Sequence, residues 1–109
     1  MSLLDAVSIA DIQRAVVAHY GLRIEDMTSD RRGRSVARPR QVAMWLAARL
    51  SRSSFPVIGH SFHRDHTTVM YAAKKVPELM NEDAEFAAEI ETIMGGLRAL
   101  AMAEKDAAA

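Results

Sequence analysis

Apolar residues recur at spacings of three and four along this chain, the period of an α-helix, so it has to fold as packed helices. Ile9, Ile12, Val16 and Tyr20 open the pattern, with Ser8 placed as an N-cap and Gly21 as a C-terminal stop. A short helical turn follows around Ile24 to Thr28. The stretch SDRRGRSVARPRQ (29–41) is polar, broken by Gly33, and reads as a loop. Pro39 then fits the first turn of the next helix, where its missing N–H costs nothing. Val42, Trp45, Leu46 and Leu50 form that helix's apolar stripe, which makes Trp45 a core residue rather than a stacking platform. SRSS (51–54) ends it.

The next helix is short. Ser54 caps it, Pro56 lies in its first turn, and Ile58 and Phe62 face inward at i, i+4. After a turn at His63 and Arg64, a longer helix starts behind Asp65 with Val69, Ala72, Ala73, Val76 and Met80 on one face. Pro77 removes a backbone donor there and should kink the helix or weaken its last turns. Phe86, Ile90, Ile93, Leu97 and Leu100 mark the last helix, which Gly95 and Gly96 should loosen near its end. The pattern predicts an all-α, compact bundle. One domain is expected over residues 1–103, with residues 104–109 a disordered tail.

Charge divides the chain into three. Residues 1–30 carry two basic and five acidic side chains, residues 31–75 carry ten basic and one acidic, and residues 76–109 carry two basic and eight acidic. A net charge of zero therefore conceals a middle block of +9 between ends of −3 and −6. Eight of the block's ten cations are arginine, the cation whose planar fork matches phosphate. A solvated face is one reading of such a block and a nucleic-acid footprint is the other.

Several classes are expected to be excluded. The sequence has no cysteine, so no disulfide frame or thiolate metal site. No apolar run approaches the ~20 residues of a membrane span, and MSLLDAVS lacks a signal-peptide layout. A cytoplasmic, nucleoid-associated location is the expectation. His60, His63 and His66 with Asp65 could suggest a metal, but the turn separates them onto different elements, so no metal is expected. No constellation supports catalysis, so an enzyme is not expected.

A short helix, a tight turn and a longer helix inside a basic block outline a helix-turn-helix, whose second helix presents its N-terminal residues to base edges in the major groove. RDHTTVMYAAKKV (64–76) opens that second helix with five polar or charged residues. Asp65 can accept from a cytosine amino group, and His66 can donate to guanine or touch a thymine. Thr67 and Thr68 each offer a hydroxyl and a methyl. Asp65 as a plain N-cap is the bland reading, and it is compatible with base contact. Arg32 in a polar loop, or Arg40 and Lys75 on a surface, could equally be solvated charges or ion-pair partners.

VARPRQVAMWLAARL, then FPVIG, then RDHTTVMYAAKKV resembles the C-terminal DNA-binding domain of bacterial replication initiators of the DnaA family, from about Ile9 to Leu100. The resemblance implies about six helices in a Trp-repressor-like helix-turn-helix domain. It also implies recognition of an asymmetric DnaA-box-type nonamer in double-stranded DNA by a single domain, hence a monomer. Carried over where residues match, it implies base readout by Asp65, His66, Thr67 and Thr68 in the major groove and by Arg32 in the adjacent minor groove. It implies backbone contacts around Arg40, Gln41, Phe55, Pro56, Arg64 and Lys75.

The family usually has glycine where this chain has His63, and often one residue more. Such a turn tends to need a left-handed backbone, which histidine adopts at some cost. Phe55 replaces the usual leucine. The G-x-x-x-x-G-K-[ST] loop of the initiator's ATPase does not occur in this sequence, and Lys74, Lys75 and Lys105 follow no glycine loop. No nucleotide or other cofactor is therefore expected, and competition with a full-length initiator is the implied consequence. A stand-alone protein and an excised domain both stay open. A protein-interaction module using the acidic terminal helices is the alternative function. RNA is a third, disfavoured because a deep, narrow RNA major groove excludes a recognition helix.

Overall fold

The structure is a computed structural model and describes residues 7–108. Its elements are helix α1 (Ile9–Tyr20), a 3-10 turn (Ile24–Met27), and helices α2 (Arg34–Leu50), α3 (Phe55–Ser61), α4 (His66–Glu82) and α5 (Ala84–Ala108). Five α-helices and one 3-10 turn thus stand where about six helices are predicted, and the described residues contain no strand.

Local chemistry sets the first helix. The Ser8 hydroxyl accepts from the Asp11 amide at 3.0 Å, and the Asp11 carboxylate accepts from the Ser8 amide at 3.4 Å, a reciprocal capping box. Val7 just before the cap and Ile12 are both buried, the positions of a hydrophobic staple. Gly21 ends the helix at φ 68 and donates its amide to the Val17 carbonyl.

α2 begins earlier than its sequence predicts. Gly33 is its N-cap, so the second half of the expected loop is helical and Pro39 is the sixth helical residue rather than one of the first turn. The ring leaves the Ser35 carbonyl without its i→i+4 donor. Tertiary packing outweighs that loss: Val36 and Pro39 are buried, and the rest of the helix is buried from Val42 to Ala47. α2 packs against α1, α3 and α4, while α5 lies across α1 and α4.

Ile12, Val16, Met44, Leu46, Ile58, Phe62, Val69, Ile90 and Leu97 are all buried in one cluster. Burial of each large side chain contributes about 1.5–3 kcal/mol. Phe62, the largest of them, anchors the turn between α3 and α4. Trp45 is in the core as expected, with the Arg49 guanidinium 5.5 Å above its ring.

The later helices are continuous. α4 is helical through Pro77 to Glu82, the helix that Pro77 is expected to kink or weaken. α5 runs unbroken through Gly95 and Gly96 and continues past Glu104, where a disordered tail is predicted, to Ala108. Alanine, glutamate and lysine there are strong helix formers. Leu100 is exposed rather than core: the buried stripe of the helix runs from Leu97 to Ala101 and leaves Leu100 outside it. Residues 1–6 and 109 of the predicted domain and tail lie outside the described residues.

Candidate nucleic-acid interface

The turn between α3 and α4 is built by close approach. The Gly59 carbonyl accepts from the Phe62 amide at 3.0 Å and the Arg64 amide at 2.8 Å. A β-carbon on Gly59 would lie 2.5 Å from the Arg64 carbonyl oxygen, so only glycine allows α3 to lie this close to the start of α4. His63 has φ 54, the left-handed backbone anticipated for a residue at the family's glycine position.

α4 therefore leaves the body with a fixed first turn. Asp65 occupies the N-cap position with extended backbone, φ −66 and ψ 151, but its carboxylate makes no capping bond to the first-turn amides. Its Oδ2 accepts from the Thr67 hydroxyl at 3.1 Å, and its Oδ1 lies 2.9 Å from His66 Nδ1, an ion pair when the ring is protonated. The Thr67 hydroxyl, and with it the adjacent His66, holds the Asp65 carboxyl below the usual carboxylate range. Asp65 is thus an ionised acceptor near neutral pH, suited to an amino group. An imidazole offers one donor and one acceptor nitrogen when neutral and two donors when protonated, so His66 can meet a base edge in either way.

Asp65, His66 and Thr67 are exposed, and Thr68 is half-buried. At about 100° per residue, His66, Thr67, Met70 and Lys74 share the outward face of α4, opposite buried Val69, Ala72 and Val76. Met70 and Tyr71 are 48% and 57% exposed, large apolar groups on the face that carries the polar readers. Sequence reasoning passed over both. The three-to-four spacing from Thr67 was the available signal.

The other expected contacts divide. Arg32 is exposed and makes no hydrogen bond or ion pair with the described residues. It shares a cleft of about 350 Å³ with Asp30, Ala37, Arg40, His63 and Arg64, which brings the arginine loop beside the helix-turn-helix turn. Phe55 and Pro56 are exposed at the start of α3 and line a groove with His66. Lys75 is half-buried beside Tyr71, Lys74 and Glu78. Gln41 is half-buried, and its Oε1 is a buried acceptor with no partner among the described residues.

Arg40 is not a surface group. It is 4% exposed, and it donates from Nε and Nη2 to the Asp26 carbonyl at 3.2 and 2.7 Å, from Nη1 to the Arg31 carbonyl at 3.1 Å and from Nη2 to the Ser29 hydroxyl at 3.3 Å. Burial, then the nearby Arg64, lowers its pKa. Arg40 organises the loop from within, and most of its five donors are already used. Arg64 is half-buried and likewise occupied, with Nη1 on the Phe62 and His63 carbonyls at 3.1 and 3.3 Å and Nη2 on the Ser29 carbonyl at 2.6 Å.

Asp26 supports the same loop. Its carboxylate accepts from the Arg23 amide at 3.0 Å and Arg31 Nη1 at 3.1 Å, and the Arg23 bond does most to lower its pKa. Among the described residues no group of three or more His, Asp or Glu side chains is placed to hold a metal ion. No helix among them is long and apolar enough to cross a membrane.

Comparison with known proteins matches residues 9–76 to the family described as bacterial dnaA protein helix-turn-helix. The chromosomal replication initiator protein DnaA of Gluconobacter oxydans is 53% identical over 88 residues, covering 80% of this chain and 18% of that protein. The protein of the same name from Caulobacter vibrioides is 47% identical over 93 residues, covering 84% and 19%. That from Rickettsia akari is 48% identical over 89 residues, covering 81% and 19%. The chain spans about a fifth of the length of the curated relatives it matches.

Proposed function

Because this chain belongs to the bacterial DnaA helix-turn-helix family, we propose that it binds double-stranded DNA sequence-specifically, as a monomer, at DnaA-box-like nonamers. α4 enters the major groove. Asp65, His66 and Thr67 read base edges there, with Thr68 beside them. Arg32 enters the adjacent minor groove, and Gln41, Phe55, Pro56 and Lys75 flank the backbone. The observation that carries this reading is the pairing of an exposed, internally bonded first turn on α4 with a free Arg32 in the cleft beside it.

Such a module needs no nucleotide and catalyses nothing. Where it meets a full-length initiator it competes for the same sites, which places it in replication initiation or its regulation, at the nucleoid.

Titration of labelled duplexes by fluorescence anisotropy tests this. A box duplex should bind about 10³-fold or more tighter than a scrambled duplex at matched salt, with an RNA hairpin weaker still. ATP or ADP should leave the affinity unchanged. Equal affinity for box and scrambled duplexes would overturn the reading, and no duplex binding at all would favour protein docking through the acidic ends.

A further inference from the structure

Two arginines of the basic block donate to backbone and hydroxyl oxygens rather than to carboxylates, and both hold the same loop. Arg40 takes the Asp26 and Arg31 carbonyls and the Ser29 hydroxyl. Arg64, 35 residues along the chain from Ser29, takes the Ser29 carbonyl at 2.6 Å. The next residue after this pinned stretch is Arg32, which has no partner among the described residues. The other end of the Arg64 fork rests on the Phe62 and His63 carbonyls, which belong to the turn that launches α4. One guanidinium therefore spans the loop that carries Arg32 and the turn that aims α4.

We propose that Arg64 is a positioning residue, locking the arginine loop onto the helix-turn-helix turn so that Arg32 and the first turn of α4 read one DNA site in fixed register. This rests on the DNA-reading function proposed above. The physical case is preorganisation. Residues 28–33 form no regular helix, and a loop ordered only on binding would lose affinity to the entropy of ordering. Arginine suits the task because its planar fork can donate in two directions at once. A lysine would keep the charge as a single point and could not bridge both sides.

A double-mutant cycle on duplexes of two designs tests the lock. In one design, A·T pairs in the minor-groove half of the site are changed to G·C; in the other, the pairs facing Thr67 are changed. Arg64→Ala and Arg64→Lys should each weaken box binding about tenfold and remove most of the A·T preference in the minor-groove half. Preference at the pairs facing Thr67 should remain. In an Arg32→Ala background the same substitutions should change affinity by less than about twofold. Additive losses, full rescue by Arg64→Lys, or loss spread evenly over every base pair would overturn the proposal and make Arg64 a plain phosphate contact.

A second measurement needs no DNA. Amide hydrogen exchange in the free Arg64→Lys protein should speed up over residues 28–33 while α3 and α4 stay protected. Unchanged exchange in the loop would overturn the lock even if every duplex failed to bind, which separates its failure from that of the DNA-reading function. Should Arg64→Ala unfold, Arg64→Lys and Arg64→Gln carry both measurements.

Discussion

Substitution of Gly59 by alanine tests the close approach that aims α4. The new β-carbon would sit 2.5 Å from the Arg64 carbonyl oxygen and 3.3 Å from both the Asp65 carbonyl carbon and the His66 amide nitrogen. All three are backbone atoms, so no flexible side chain can swing away. Ordinary contact begins near 3.4 Å, so the turn has to retreat by about 0.9 Å at its closest point. That movement strains the Arg64 amide bond to the Gly59 carbonyl at 2.8 Å and the Arg64 bond to Ser29 at 2.6 Å. Overpacking of this kind costs about 3 kcal/mol at its upper range, and alanine returns about 1 kcal/mol in helix propensity. The net expectation is a destabilisation of about 2 kcal/mol, or roughly 8–10 °C in Tm for a domain of this size. Circular dichroism melts measure it. Gly95→Ala is the control: it lies inside α5 with nothing within 4 Å of its added β-carbon, and should stabilise by about 0.5–1 kcal/mol. A Gly59→Ala protein that melts at or above the parent and binds DNA equally well would show that the approach of α3 to α4 is not as described.

Three further outcomes are expected. His63→Gly should relieve the left-handed backbone at φ 54 and raise stability by up to about 1 kcal/mol, seen as a higher urea midpoint with unchanged m. Asp26 has its pKa lowered on folding, so the unfolded chain binds the proton more readily; its contribution to stability is present above the unfolded pKa near 4 and is lost as pH falls through the lower folded value. Thermal melts from pH 7 to 2 should therefore decline on the acid side, and Asp26→Asn should start lower at neutral pH and decline less. Box binding should be steeply salt-dependent: neutralising roughly four to six phosphates gives a slope of log K against log[salt] near −4 to −5, and a slope flatter than about −1 would exclude the basic block as the binding face.

Sequence patterning revealed the helices where their causes are local. Ser8 and Gly21 bracket α1 with short-range bonds, and Ile58, Phe62, Val69 and Val76 are buried at the positions their spacing indicates. The start of α2 was hidden because its first turns are polar in composition and are held by tertiary packing around Val36 and Arg40. An arginine in a basic run looks like a phosphate grip, and nothing adjacent to Arg40 indicates that its acceptors lie 14 residues upstream on the Asp26 carbonyl. Gly59 was equally silent, since its constraint comes from a turn that has not yet folded back. The motif from Arg64 to Thr68 was legible as a polar first turn, and the left-handed turn at His63 was legible from the residue that usually stands there. The bonds among Asp65, His66 and Thr67 were not, because they depend on rotamers that spacing does not fix. Leu100 fits the period of the last helix yet is exposed, because steps of three and of four from buried Leu97 both fit and the core takes Ala101 at the step of four.

The central claim is that the first turn of α4 reads bases while flanking cations grip the backbone, and the specificity ratio of two variants tests it most directly. Thr67→Ala removes an exposed hydroxyl and methyl at a first-turn site. It should weaken box binding by about 1–3 kcal/mol and scrambled binding far less, collapsing the ratio. Lys75→Ala should weaken both duplexes about equally and reduce the salt slope by about one unit. With circular dichroism confirming intact helix in each, a Thr67→Ala protein that keeps its preference while Lys75→Ala loses it would contradict the claim and move the reading surface elsewhere, first to the arginine loop.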